Sequence, residues 1–357
     1  MPAPAVDAAL EPWPAVRARR DRWHALLLGN GASCAVWRRF AYGSLYERAA
    51  SGTLAGGLAA EDQALFARLD TVNFEAVLGT LAAAAATVDA LALPDRDTRA
   101  VRSALDARYH AVQAALAAAV HDRHVPHGRV PAATLRAIRR ELRRYRTVFS
   151  TNYDLLAYWA VMAGGGRGFR DLFFGEGATF DPHDTRVPPG QTVVLWLHGA
   201  LHLQRAVDGR TRKRVAGALG APAAGAPRDL LGQYTAPAAG LIPLVITEGT
   251  ARQKLAAIER SEYLAYAYGR LRRPQPALVV FGHSLGDGDA HLVDAVRGWG
   301  PAAVAVSVWP GAGPKAVMAR KLELAERLPD ATLFYFDSTT HPLGDPGLAV
   351  ADPPDPP

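Results

Sequence analysis

Residues Gly282-His283-Ser284-Leu285-Gly286 place a hydroxyl between two glycines, directly after the apolar run Ala277–Phe281. A G-x-S-x-G turn of this kind presents the nucleophile of serine hydrolases, and Asp337 and His341 follow in the order serine, acid, base. The longer stretch GHSLGDGD is also a glycine-bearing loop between a strand and a helix, which is how backbones hold nucleotides. Other polar tips follow apolar runs elsewhere. In Thr151-Asn152-Tyr153-Asp154, an amide at Asn152 can hold a ribose hydroxyl or an attacking water. Asp154 can orient its neighbours or cap the helix that follows. His198, followed by Gly199, can act as a general base near neutral pH. Gly29 and Gly31 would let the amides of Gly31–Ser33 approach a pyrophosphate, although Cys34 stands where a full G-x-G-x-x-G has its third glycine.

These tips need a scaffold that brings them together. Ala25–Gly29 reads as a buried strand, and Thr147–Ser150, Thr192–Leu203, Leu241–Gly249, Ala277–Gly282, Ala302–Trp309 and Thr332–Ser338 read as further strands. Helical patterns separate them, including one long helix over Thr250–Leu271 and an alanine-rich helical stretch over Tyr46–Arg146. Continuous apolar strands alternating with helices predict an α/β fold with a doubly wound, mostly parallel sheet. In such sheets, ligands bind beyond the carboxyl ends of the strands. The expected organisation is a single domain over 1–349. Its sheet core spans about 22–45, 146–203 and 241–340, with a helical insertion over about 46–145 and a disordered tail at 350–357.

Composition excludes several classes. The 357 residues are 49% hydrophobic and 21% charged, which suits a globular protein. The single cysteine, Cys34, excludes an internal disulfide and a cysteine-based zinc cluster, and no metal is expected. The net charge of +6 reflects arginine abundance in a chain rich in alanine, glycine and proline, so nucleic acid is not the expected partner. The dense run Arg136–Arg146 reads as an amphipathic helix with a solvated arginine face. Strand-length apolar runs such as Ala277–Phe281 are too short to span a bilayer, and the N-terminus lacks a secretory pattern, so a cytoplasmic address is expected.

Taken in order, GNGAS, TNYD, HG and GHSL resemble the sirtuin-like NAD-binding superfamily, and more closely an uncharacterised bacterial branch of it. The resemblance implies a phosphate loop at Gly29, Gly31, Ala32 and Ser33. It implies a nicotinamide-ribose region at Asn152 and Asp154, a catalytic base at His198, and an adenosine side at Gly282, Ser284 and Leu285. Thr151 beside Asn152 is a further candidate for binding the cofactor, and Asp287 or Asp289 could accept from the adenosine ribose hydroxyls. Deacylating sirtuins carry a four-cysteine zinc module that one cysteine cannot build, and CAVWRRFAYGSLYE replaces their usual segment after the glycine motif. The expected activity is therefore NAD+ glycohydrolysis, as in zinc-module-free antiphage-defence relatives, with NAD as substrate and a homo-oligomer or a regulatory protein as the candidate partners. The alternatives are a sensor that binds NAD+ or ADP-ribose without cleaving it, and a serine hydrolase acting through Ser284. Arg38, Arg39 or Lys254 could supplement the phosphate site.

Overall fold

The computed structural model describes residues 7–91, 98–173, 178–205, 209–214, 230, 242–246, 250–300 and 302–352. Eight strands form one sheet. From edge to edge they run β1 (Glu11–Pro12), β11 (Thr332–Asp337), β10 (Ala303–Val308), β9 (Ala277–Phe281), β2 (Ala25–Leu28), β3 (Thr147–Ser150), β5 (Thr192–Trp196) and β4 (Phe169–Arg170). Every pairing in this sheet is parallel. The central strands β2, β3, β5 and β9 are buried at every position, because a parallel sheet covered on both faces needs apolar side chains pointing both ways. The architecture is the Rossmann-like, doubly wound α/β arrangement that the strand pattern predicts.

The helices are α1 (Trp13–Ala18), α2 (Asn30–Val36), α3 (Tyr42–Ala50), α4 (Ala60–Arg68), α5 (Phe74–Leu91), α6 (Arg99–Arg123), α7 (Ala132–Leu142), α8 (Leu156–Met162), α9 (Ala251–Glu259), α10 (Glu262–Leu271), α11 (Ala290–Arg297) and α12 (Pro314–Arg327). Helices α3 to α7 lie between β2 and β3 in the chain, where the helical stretch is expected. By length and composition, α5 could cross a membrane, yet its first half packs Phe74, Val77, Leu78 and Leu81 into the protein. On α7, Leu135, Ile138 and Leu142 are buried. Its arginine face is not simply solvated: Arg139 donates to the Val161 carbonyl at 2.5 Å and lies over the Phe169 ring, and Arg143 donates to the Gly190 carbonyl at 3.1 Å.

Three further differences have clear causes. The apolar run Thr192–Leu203 is two strands, because Gly199 takes φ +75° and turns the chain after His198. The second half becomes β6 (Gly199–Arg205), which pairs antiparallel with β7 (Thr211–Lys213) and β8 (Ile242–Val245) in a separate small sheet. The strand expected over Leu241–Gly249 thus leaves the central sheet, and Glu248 and Gly249 lie outside the described residues. The helix expected over Thr250–Leu271 breaks at Ser261, whose hydroxyl accepts the Leu264 N–H and starts α10. Of the expected tail, residues 350–352 are described and 353–357 lie outside the described residues; the Val350 N–H donates to the Val36 carbonyl at 2.8 Å, just after the buried Leu348.

Candidate active site

The sheet changes winding direction between β2 and β9. From β2 the chain proceeds through β3 to β5 on one side, and β9, β10 and β11 continue on the other. A crevice at the carboxyl ends follows from that switch. Here the two glycine loops touch. The Gly29 N–H donates to the Phe281 carbonyl at 3.0 Å, and the Gly31 N–H donates to the Gly282 carbonyl at 2.8 Å. Gly282 takes φ +69°, and a Cβ on it would lie 2.3 Å from the Ala32 nitrogen. Only glycine fits this neck. A cavity of about 370 Å3 opens on one side and another of about 450 Å3 on the other, and both have Gly31, Cys34, Gly282, His283 and Ser284 in their walls.

The first cavity holds Thr151, Asn152, Asp154 and His198. Asn152 is buried, and its Nδ2 donates to Ser33 Oγ at 2.8 Å. Ser33 in turn donates to Asp154 Oδ2, while Asp154 Oδ1 accepts the Leu156 N–H at 2.8 Å. Asp154 therefore both starts α8 and locks Ser33. Burial pushes its carboxyl above the ordinary value, against the pull of the Ser33 hydrogen bond. The chain of contacts fixes the Asn152 amide, yet Asn152 Oδ1 has no partner among the described residues. A buried acceptor without a partner is costly unless a ligand or water meets it.

His198 sits on the turn after β5, held by the Ile246 N–H, which donates to its carbonyl at 2.8 Å. Its Nε2 lies 3.1 Å from His291 Nε2 and 3.8 Å from Asp289 Oδ1. Burial holds the His198 imidazole well below its ordinary pKa, so it is neutral at pH 7. The same cause takes His291 down to about 4. Asp289 occupies the N-cap position of α11 without capping it. Its carboxylate instead meets Lys254 Nζ at 2.7 Å and His283 Nε2 at 3.3 Å. Burial opposes that charge, but the His283 hydrogen bond and the Lys254 ammonium outweigh it and hold the carboxyl far below the usual range. Lys254, fully buried, also donates to Glu75 Oε2 of α5 at 2.8 Å.

A family described as "Domain of unknown function (DUF4917)" matches residues 26–342. The chain belongs to this family. No curated protein matches it. A solved structure described as "Structural Basis for the Mechanism and Regulation of Sir2 Enzymes" aligns over 88% of this chain and 96% of its own, at 14% identity and a TM-score of 0.29. A superposition that loose carries no argument about this DUF4917 protein.

Of the residues singled out from sequence, Gly31, Thr151, Asn152, Asp154, His198, Gly282, Ser284 and Asp289 line the first cavity. Gly29, Ala32, Ser33 and Leu285 are not among the residues lining it. Two of the three amides expected to hold a pyrophosphate are engaged: Gly31 N–H by the Gly282 carbonyl and Ala32 N–H by the Gly29 carbonyl at 2.9 Å. Leu285 is buried, with φ +49°. Asp289 stands beside His198, 3.8 Å from its Nε2. Asp287 pairs with Arg327, and Lys254 is consumed by its two carboxylates. Arg39 pairs with Asp352 at 3.0 Å, whereas Arg38 lines the second cavity.

The serine-hydrolase arrangement is not assembled. His341 Nδ1 accepts the Leu343 N–H, and its Nε2 faces Tyr145 and Glu141, so it offers Ser284 no base. Asp337 accepts from Thr339. Sequence reasoning missed Tyr42, Glu75, His283 and His291. A lone acid near the start of an apolar, alanine-rich helix was the available signal for Glu75. His198, Asp289 and His291 bring three metal-competent atoms within 4.8 Å of one another, although Lys254 already supplies Asp289 with a countercharge.

Proposed function

We propose that this DUF4917 protein is an NAD+ glycohydrolase of the sirtuin-like kind, releasing nicotinamide and ADP-ribose in bacterial antiphage defence. The observation that carries the reading is Asn152: an immobilised amide on a residue lining the first cavity, its buried Oδ1 without a partner among the described residues, beside a neutral histidine in the same wall. Nicotinamide leaves as a neutral group, so the site needs no strong acid. It needs an oriented water and stabilisation of an oxocarbenium-like ribose. In the proposed step, water oxygen bonds to the anomeric carbon while the carbon–nitrogen bond breaks and its electron pair stays on the ring. The Asn152 amide orients the water or the ribose, and His198 takes the water's proton. The second cavity, with Ser284, Ser307, Ser338, Thr339, Arg38 and Trp309, takes the adenosine diphosphate end. NAD is substrate here, and no resident metal enters the step.

A sensor reading draws on one contact. His198 Nε2 faces His291 Nε2 at 3.1 Å, so that nitrogen is engaged by a second imidazole rather than open to a water. Proton NMR of the protein with NAD+, beside Asn152→Ala and His198→Ala, separates the two. Nicotinamide released by the unmodified protein alone supports the hydrolase. Intact NAD+ with saturation-transfer contacts supports the sensor, and no contacts at all would overturn both. Assembly through the outer half of α5 and α6 belongs to the same proposal. Deleting that half should abolish oligomers and leave NAD+ binding.

A further inference from the structure

The first cavity is walled by Phe40, Leu45, Leu116 and Val120, and its charged wall groups are carboxylates. No arginine or lysine among the described residues lines it. Glu75 and Asp289 both reach its surface, with side chains 19% and 16% exposed, whereas the Lys254 that pairs with both is 0% exposed behind them. Two carboxylates facing the cavity against one ammonium leave one negative charge in excess. Asp154 adds none reliably, since burial favours its protonated form. The imidazoles of His198 and His291 are neutral and cancel nothing. His283 also lines the cavity, 3.3 Å from Asp289, but Lys254 is the one ammonium or guanidinium facing the two carboxylates among the described residues.

An apolar slot carrying excess negative charge repels phosphate and suits a flat monocation. The polarity of the crevice follows. The cationic end of a ligand belongs in the first cavity, and the anionic end belongs across the Gly31–Gly282 neck, where Arg38 and four hydroxyl side chains line the second.

We infer that Glu75, brought from the helical stretch and locked through Lys254 to Asp289, makes this site selective for a cationic pyridinium ring, hence for oxidised NAD+ over NADH. The inference rests on the dinucleotide reading above but can fail separately. Glu75 acts on the ring by charge and through Lys254; it is a specificity residue, not a catalytic one.

The test measures binding of four probes by saturation transfer and titration: NAD+, NADH, 1-methylnicotinamide and neutral nicotinamide. The unmodified protein should bind NAD+ and 1-methylnicotinamide each at least about tenfold tighter than its neutral counterpart, as one charge across a partly buried site supplies. Glu75→Gln leaves Lys254 and Asp289 balanced and should erase that preference. Glu75→Gln with Lys254→Met restores a net charge of minus one and should restore it, which a merely structural role for Glu75 would not do.

Equal binding of NAD+ and NADH by the unmodified protein overturns the selectivity and leaves the dinucleotide reading standing. Binding of 1-methylnicotinamide over nicotinamide with neither dinucleotide bound does the reverse. Loss of all four overturns both. The unmodified protein alone decides these cases, whether or not the variants fold.

Discussion

Asn152 and Ser33 meet across the crevice, Nδ2 to Oγ at 2.8 Å, on elements 119 positions apart in the chain. The same hydroxyl donates to Asp154, so a single serine orients an amide and a carboxyl at once. Ser33→Ala should lower the rate of nicotinamide release about ten- to a hundredfold with a smaller change in KM, because it unlocks Asn152 without removing it. It should also cost about 1–3 kcal/mol of stability, since Asp154 loses a buried partner. Steady-state kinetics and urea unfolding check both, and an unchanged rate would remove Ser33 from the site.

Ser284 should prove dispensable for chemistry. It is exposed, and the sequence-predicted base, His341, is engaged with Leu343 instead. Ser284→Ala should keep kcat for NAD+ within a few-fold, with any loss confined to KM, and stability within about 0.5 kcal/mol, and the unmodified protein should not hydrolyse p-nitrophenyl acetate through this serine. A Ser284-dependent esterase activity would return the loop to the nucleophile reading.

The sheet was legible because its strands are continuous apolar runs, and the tips after β2, β3, β5 and β9 were legible because polar residues cluster there. What escaped was tertiary. Nothing local to Leu195–Leu203 shows that Gly199 turns the chain out of one sheet and into another. Glu75 reaches the site from a helix whose partner, Lys254, lies 179 positions away. The glycines of GNGAS let two backbones pack against each other, which engages the Gly31 and Ala32 amides, and nothing local to that loop shows its partner loop.

Buried neutral histidines set an acid limit on stability. Burial takes His124 and His291 to about 4 and His341 to about 3, and holds His198 and His202 well below 6.5. In each case the unfolded chain binds a proton first as pH falls, so stability present above pH 6.5 is lost toward pH 4. His202 isolates the effect. It stacks on Tyr158 at 4.4 Å, and neither ring nitrogen has a hydrogen-bond partner among the described residues. His202→Phe should leave stability at pH 7.5 unchanged or higher and flatten its loss below pH 6.5 by about 1.4 kcal/mol per pH unit. Urea unfolding at pH 7.5 and 5 reads this directly, and parallel pH curves for the two proteins would refute it.

Trp309 is 64% exposed at the wall of the second cavity, with Gly311 packed under its ring. An exposed indole beside hydroxyl side chains is placed to stack a base. Trp309→Ala should weaken NAD+ and ADP-ribose binding by about 1–3 kcal/mol and leave 1-methylnicotinamide binding unchanged. Equal losses for all three ligands would mean that the substitution had disturbed the whole crevice.

Gly282 joins the two halves of the site. Its φ of +69° is available cheaply to glycine alone, and a Cβ there would drive into the Ala32 nitrogen and the Gly31 backbone. Gly282→Ala therefore combines backbone strain with a clash against main chain that cannot swing aside, costing roughly 2–4 kcal/mol. The damage should be directional. Parting the loops removes the Gly31-to-Gly282 hydrogen bond and shifts α2, and with it Ser33, away from Asn152. Turnover should fall further than thermal stability alone explains, and additional ligand should not recover it. Gly43, on helix α3 with open space around it, is the control, since Gly43→Ala meets nothing. If Gly282→Ala melts and turns over like Gly43→Ala, the glycine contact is not what holds the crevice together.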